Sequence, residues 1–122
     1  MTRSFDANVI SQIIGKNVWA AVANRLNVFL IDPAGLFAFE WRGPGNFEGH
    51  WAATSDSAIK CVRAGREALR LMFAEYGAEQ IWGATPIANE VARRFNTLCG
   101  MQSLGIVEMP DRGPAEIFVK RM

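Results

Sequence analysis

The sequence predicts a mixed α/β fold, a mostly antiparallel central sheet with helices on both faces, and three observations carry that prediction. Between Ser55 and Met101, two stretches with helical periodicity flank one apolar, β-prone run. Before them, three short apolar runs are separated by turns rich in proline and glycine. After them, two more runs flank the turn Pro110-Asp111-Arg112-Gly113-Pro114. Short runs joined by tight turns pair antiparallel, whereas a run reached through a helix can pair parallel, so this order implies a mixed sheet.

Residues 4 to 24 place Val9, Ile13, Ile14, Val18, Trp19 and Val22 on one helical stripe, with a break or kink at Gly15 and Lys16. One bent helix or two short ones should therefore open the chain. Asn27 to Ile31 reads as a strand, and Asp32-Pro33-Ala34-Gly35 as a turn in which proline sets one dihedral and glycine takes a positive one. Leu36 to Trp41 supplies the partner strand, and Gly43-Pro44-Gly45-Asn46 the next turn. Phe47 to Thr54 follows as a third strand, whose alternation turns Phe47, Gly49 and Trp51 to one face and Glu48, His50 and Ala52 to the other.

The long helix begins after Ser55, Asp56 and Ser57, whose oxygens can accept from the unpaired N–H groups of a first turn, and it ends at Gly77. Ala58, Val62, Gly65, Leu69, Met72 and Tyr76 recur at alternating intervals of four and three and form its expected inner face. Ala78 to Ile87 has the composition of a buried strand, stopped by Pro86 because proline cannot donate to a ladder. Asn89 caps a second helix running to Gly100, with Val91, Ala92, Phe95 and Leu98 inward. Gln102 to Met109 and Ala115 to Arg121 close the chain as a hairpin.

A length of 122 residues with 50% hydrophobic residues suits one domain, spanning 1–122, with a real core. Thirteen basic and twelve acidic residues leave a net charge of +1, which argues against nucleic acid or an anionic membrane as partner. Cys61 and Cys99 have no C-x-x-C spacing, so they read as reduced, buried thiols rather than a disulfide framework or a zinc site. No apolar run reaches membrane-spanning length and no export segment is recognisable at Met1, so a cytoplasmic location is expected.

Two motifs extend this reading. The stretch N-E-V-A-R-R-F-N-T-L-C-G-M at Asn89–Met101 and the strand F-E-G-H-W at Phe47–Trp51 stand, within this order of elements, in a pattern that resembles the GNAT superfamily of acyl-CoA-dependent N-acyltransferases. The resemblance covers about residues 27 to 122, and extends to the shortened members often encoded by phages. It implies a GNAT-like sheet, acetyl-CoA or a related acyl-CoA as donor, and an amine of unspecified identity as acceptor. The cofactor arm would lie along the backbone of Trp51, Ala52 and Ala53. Its pyrophosphate would meet the helix opening at Ser57, Ala58, Ile59 and Lys60, with Lys60 and Arg63 as counter-charges and Asn89 at the second helix.

Glu48 and His50 share a strand face and either can take a proton from an incoming ammonium, the plainer alternative being a solvated polar face. Lys60, Arg63, Arg66 and Arg70 form a basic edge that reads as a solvated helix face laced with Glu67. Trp19, Trp41, Trp51 and Trp82 read as core or subunit contacts, which leaves a homodimer open. Gly83 suits either the close approach of a cofactor or a splay between the fourth and fifth strands, or equally a simple packing or bulge role. The loop T-S-D-S-A-I-K-C-V lacks the glycines that the family usually has there, and Asn96 stands where it commonly has a tyrosine. These departures favour a second reading, a catalytically inactive structural or interaction module of the same fold, of phage association.

Overall fold

The computed structural model describes residues 1–122. Thr2–Arg3 form a two-residue strand β1, followed by helices α1 (Ala7–Ile14) and α2 (Trp19–Ala23). Strands β2 (Val28–Asp32), β3 (Gly35–Trp41) and β4 (Asn46–Ala53) lead into helix α3 (Ala58–Glu75). Strand β5 (Gln80–Pro86), helix α4 (Glu90–Leu98) and the hairpin of β6 (Gln102–Met109) and β7 (Gly113–Arg121) complete the chain. All seven strands join one sheet in the order β1-β2-β3-β4-β5-β7-β6. Every neighbouring pair is antiparallel except β4 with β5, the pair separated by the α3 crossover. No helix is long and apolar enough to cross a membrane.

The sheet is covered on both faces. Phe37, Phe39, Phe47 and Ile81 pack on one side with Leu69 and Met72 of α3 and Phe95 of α4. On the other, Phe29, Leu36 and Ala38 meet Ile10 of α1 and Val22 of α2. β3 is thus apolar on both faces, which explains its unbroken run Leu36-Phe37-Ala38-Phe39. The leucine and phenylalanine side chains of this run, fully buried, contribute about 1.5–3 kcal/mol each relative to exposure.

Several expected details shift. In α1 and α2 the buried residues are Ile10 and Val22, while Val9 and Trp19 are exposed. Gly15, at φ +86, ends α1 in a left-handed turn, so the helical phase restarts before α2 and one stripe cannot span both. In α3 the inner face contains Gly65, Leu69 and Met72 as expected, but Cys61, Ala64 and Ala68 complete it and Ala58 is exposed. In α4 Ala92 and Phe95 face inward, yet Val91 is 75% exposed, Leu98 is exposed, and Asn96 is buried. Gly35 does not take a positive φ. It is needed because a Cβ there would lie 2.9 Å from the Ala52 carbonyl oxygen, while the Asp32 carboxylate closes the turn by accepting from the Ala34 N–H at 2.8 Å.

One polar network ties α4 to the terminal hairpin. Glu116 accepts from Ser103 Oγ at 2.6 Å and from Arg93 Nε at 2.8 Å. The Ser103 hydrogen bond, followed by that of Arg93, holds the Glu116 carboxyl below its ordinary range. A depressed carboxylate stabilises the fold above its unfolded pKa, and that contribution fades as pH falls through the folded value. Glu116→Gln should therefore cost on the order of 0.5 kcal/mol at neutral pH, and the deficit should vanish in acid; urea unfolding at neutral and at strongly acidic pH checks both.

Candidate active site

The site begins where the only parallel pair in the sheet comes apart. β4 and β5 are paired only at Asn46, Phe47 and Glu48 with Gln80, Ile81 and Trp82, although β4 runs on to Ala53 and β5 to Pro86. Gly49 and Gly83 stand at the fork, where a Cβ on Gly83 would lie 3.2 Å from the Gly49 carbonyl oxygen. Strand geometry dictates which backbone groups face the opening. Arg42 N–H donates to the Asn46 carbonyl and Thr54 N–H to the Ala34 carbonyl, so the even-numbered residues of β4 bond to β3. Trp51 and Ala53 therefore turn their backbone groups into the wedge. Likewise Ile87 N–H donates to the Pro114 carbonyl, so the odd residues of β5 bond to β7, and Ala84 and Pro86 face the wedge. β5 ends at Pro86, as expected, and the proline's missing N–H faces the wedge, where it has no partner strand.

Between this fork and the two long helices lies a cavity of about 270 Å³. Trp51 stacks on Phe95 across it, ring centroids 4.0 Å apart. Phe95 can approach α3 because residue 65 is glycine: a Cβ there would lie 2.6 Å from the ring. Asn96 donates from Nδ2 to Thr85 Oγ1 at 3.0 Å, and both residues line the cavity. Asn89, also in the wall, accepts from Ala92 N–H at 3.1 Å and so caps α4. Burial pushes the Cys99 thiol up to about 11, against the opposing pull of Arg66 and Lys120. It is a neutral packing group at ordinary pH, as the sequence suggested.

The opposite sheet face carries the residues predicted for acid–base work. Glu40 and Glu48 lie directly across from each other on β3 and β4, a repulsive arrangement unless a cation intervenes. Arg42 is that cation. Its Nη2 reaches Glu48 Oε1 at 2.8 Å and Glu40 Oε2 at 3.2 Å, and its Nε adds a bond to Glu48 Oε1 at 3.2 Å. The Glu48 hydrogen bond is the main reason the guanidinium is held above its ordinary pKa. His50 Nε2 stands 2.9 Å from Glu40 Oε1 and 3.4 Å from Glu48 Oε2, and Arg112 reaches Glu48 Oε2 at 3.9 Å. Ligand atoms of Glu40, Glu48 and His50 lie within 4.8 Å of one another, but the guanidinium already supplies the positive charge that such a cluster attracts.

Both predicted acid–base residues are thus in one cluster, with different prospects. Glu48 is buried and engaged by Arg42; His50 is exposed and lines both the fork cavity and a groove of about 630 Å³ beneath α1 and α2. Trp51 lines both as well. Sequence reasoning missed Glu40, Arg42 and the Thr85–Asn96 pair. The alternation along Leu36–Trp41 already placed Glu40 on the face of Glu48 and His50, and was the available signal.

The predicted anion site is more open at some positions than others. Ser57 Oγ caps the Lys60 N–H at a long 3.4 Å, and Ser55 Oγ accepts from the Ser57 N–H. The amides of Ala58 and Ile59 at the mouth of α3 have no acceptor within the chain. Beside them runs a groove of about 910 Å³ lined by Lys60, Arg63, Arg66 and Arg70. Arg70 is paired with Glu67 at 2.6 Å and Arg66 donates to the Leu98 carbonyl, so Lys60 and Arg63 are the uncommitted cations. Ala52, an even residue, spends its backbone groups on β3 and lines the groove beneath α1 and α2 instead.

By sequence, neither a family model nor a curated protein matches the chain. By structure it is similar to aminoglycoside acetyltransferase AAC(6')-Ib in complex with coenzyme A, with a TM-score of 0.67 at 17% identity over 96% of this chain and 84% of that one. An acetyltransferase (GNAT family) from Bacillus anthracis gives 0.64 at 19% identity over 95% and 82%. A variant of spermidine N-acetyltransferase SpeG from Vibrio cholerae gives 0.67 at 11% over 93% and 74%. A likeness that spans nearly the whole chain at so little identity is a likeness of fold, and the fold it identifies here is that of the GNAT N-acyltransferases.

Proposed function

We propose that the chain transfers an acyl group from acetyl-CoA to an amine. The observation that carries this reading is the fork: two strands part and leave the backbone groups of Trp51 and Ala84 aimed into a lined cavity, and those of Ala53 at the open end of the wedge, with no strand to meet them. Strand edges that lack a partner offer a row of donors and acceptors, so an opening of this kind suits a ligand that carries amides of its own, and the pantetheine arm does. Acetyl-CoA supplies a thioester carbonyl and a thiolate leaving group.

The residues of the chain do the rest. The open amides of Ala58 and Ile59, with Ser57 and the Lys60 cap, Lys60 Nζ and Arg63, form the anionic end of the site, at a helix N-terminus where dipole and donors act together. Asn89 keeps α4 against the cavity wall. His50 accepts the proton that an incoming ammonium must lose before its nitrogen can attack, with Glu40 and Glu48 orienting the ring. As the C–S bond breaks, the Thr85 hydroxyl, held by Asn96, is the polar donor of the cavity wall that can meet the departing sulfur.

Acetyl-CoA at a hundredfold excess over its Kd should raise stability by about 2.7 kcal/mol, seen as a thermal shift, and adding an accepted amine should release free thiol. No shift at millimolar acetyl-CoA would overturn the reading. It would favour the second one, a non-catalytic module of the same fold, which the Trp51–Phe95 stack across the cavity and the glycine-free T-S-D-S loop support.

A further inference from the structure

We infer that the acceptor is a primary amine with a single positive charge carried on an apolar aryl or alkyl body; this rests on the transferase reading above. The groove beneath α1 and α2 is separate from the acyl-donor cavity except at His50 and Trp51, which line both. An acceptor seated in it therefore meets the donor at the fork. Its volume of about 630 Å³ accommodates a small-molecule body. Its walls are Ile14, Val18 and Ala21 from the helices and Phe29, Leu36 and Ala38 from the sheet. Glu40 is the one carboxylate among its lining residues, next to His50, and Lys16 is the one cation. Arg42 engages Glu48 and also the Oε2 of Glu40, and Arg112 approaches Glu48, so Glu40 Oε1, 2.9 Å from His50 Nε2, is the carboxylate oxygen left to the groove.

The charge pattern selects among amines. A polyamine or an aminoglycoside brings several ammonium groups, and each one taken out of water needs its own counter-charge. This groove offers one, at the end where the chemistry would occur, and opposes a second positive group with Lys16. An apolar body instead gains from covering the half-buried Ile14, Val18 and Ala21, above a floor of core side chains that is already almost fully buried. The acceptor chemistry thus departs from that named for the aminoglycoside and spermidine acetyltransferases of the same fold.

The test is thiol release from acetyl-CoA with tryptamine and phenethylamine against spermidine and kanamycin. The apolar monoamines should exceed the polycations by about tenfold or more in kcat/KM. Ala20→Trp, on the exposed lip of the groove, should abolish turnover of tryptamine while acetyl-CoA still gives its thermal shift, which shows that the variant folds. Lys16→Glu should raise spermidine turnover relative to tryptamine. Preference for spermidine or kanamycin in the unaltered protein, or an Ala20→Trp variant that handles tryptamine normally, overturns the acceptor class and leaves the transferase reading standing. Absence of any acetyl-CoA shift overturns the transferase reading and the acceptor class with it.

Discussion

Gly83→Val should weaken acetyl-CoA binding about a hundredfold. The odd residues of β5 turn their side chains toward α3 and α4: Ile81 enters that core and Thr85 meets Asn96. Gly83 lies between them, so a valine would fill the apex of the fork cavity. Its Cβ alone would come 3.2 Å from the Gly49 carbonyl, and two further methyl groups would project into the space where β4 and β5 separate. Overpacking at such a site costs about 1–3 kcal/mol of stability. The effect on a ligand that must enter the fork is larger, on the order of a hundredfold in affinity, or about 2.7 kcal/mol. Calorimetric titration of the variant, with urea unfolding to confirm that it remains folded, separates the two effects. A folded variant with unimpaired affinity would place acetyl-CoA somewhere other than the fork.

The largest loss of stability is expected for Arg42→Ala. The guanidinium bridges two carboxylates that the β3–β4 register holds face to face, one of them only 4% exposed. Removing one partner of a buried ion pair leaves the other charge without compensation and costs about 3–5 kcal/mol. Because Arg42 itself is partly solvent-exposed, about 2–3 kcal/mol is expected here. Adding Glu48→Gln to Arg42→Ala removes the stranded charge, so the double variant should recover more than 1 kcal/mol relative to a sum of the two single losses. Urea unfolding of the four proteins closes the cycle. Additive losses would mean that Arg42 contributes by packing its stem rather than by neutralising Glu48.

These two sites differ in how far the sequence foretold them. Helix α3, β4 and the closing hairpin were legible because local chemistry marks them: Ser57 and Gly77 bracket the helix, and glycine- and proline-bearing turns separate the strands. Gly83, in an apolar run, admitted a splay but equally a packing role, and the pairing of β4 and β5 only as far as Glu48 and Trp82 decides for the splay. The partners of Glu48 were not named, because register across β3 and β4 depends on turn geometry, and one residue of slip exchanges the two faces. Asn96 was marked by sequence only as standing where the family commonly has a tyrosine, not as a buried residue. Its burial follows from a rotation of α4 that carries Val91 into solvent, and rotation is set by what the helix packs on, Trp51 and Gly65, both distant in sequence. The strand β1 is two residues long and has no periodicity to read. The Trp51–Phe95 stack is likewise a tertiary fact: alternation put Trp51 on the helix side but could not say that its ring would close over the cavity.

Hydrogen exchange at the backbone amides of Trp51 and Ala53, measured with and without acetyl-CoA, tests most directly whether the fork holds the acyl carrier. Both amides point into the wedge and lack a strand partner, so they should exchange quickly in the free protein. At saturating acetyl-CoA their exchange should slow by about tenfold or more, as expected for amides that acquire a hydrogen-bond partner, while those of His50 and Ala52, already bonded to β3, should change little. Unchanged exchange at Trp51 and Ala53 in millimolar acetyl-CoA would contradict the central claim.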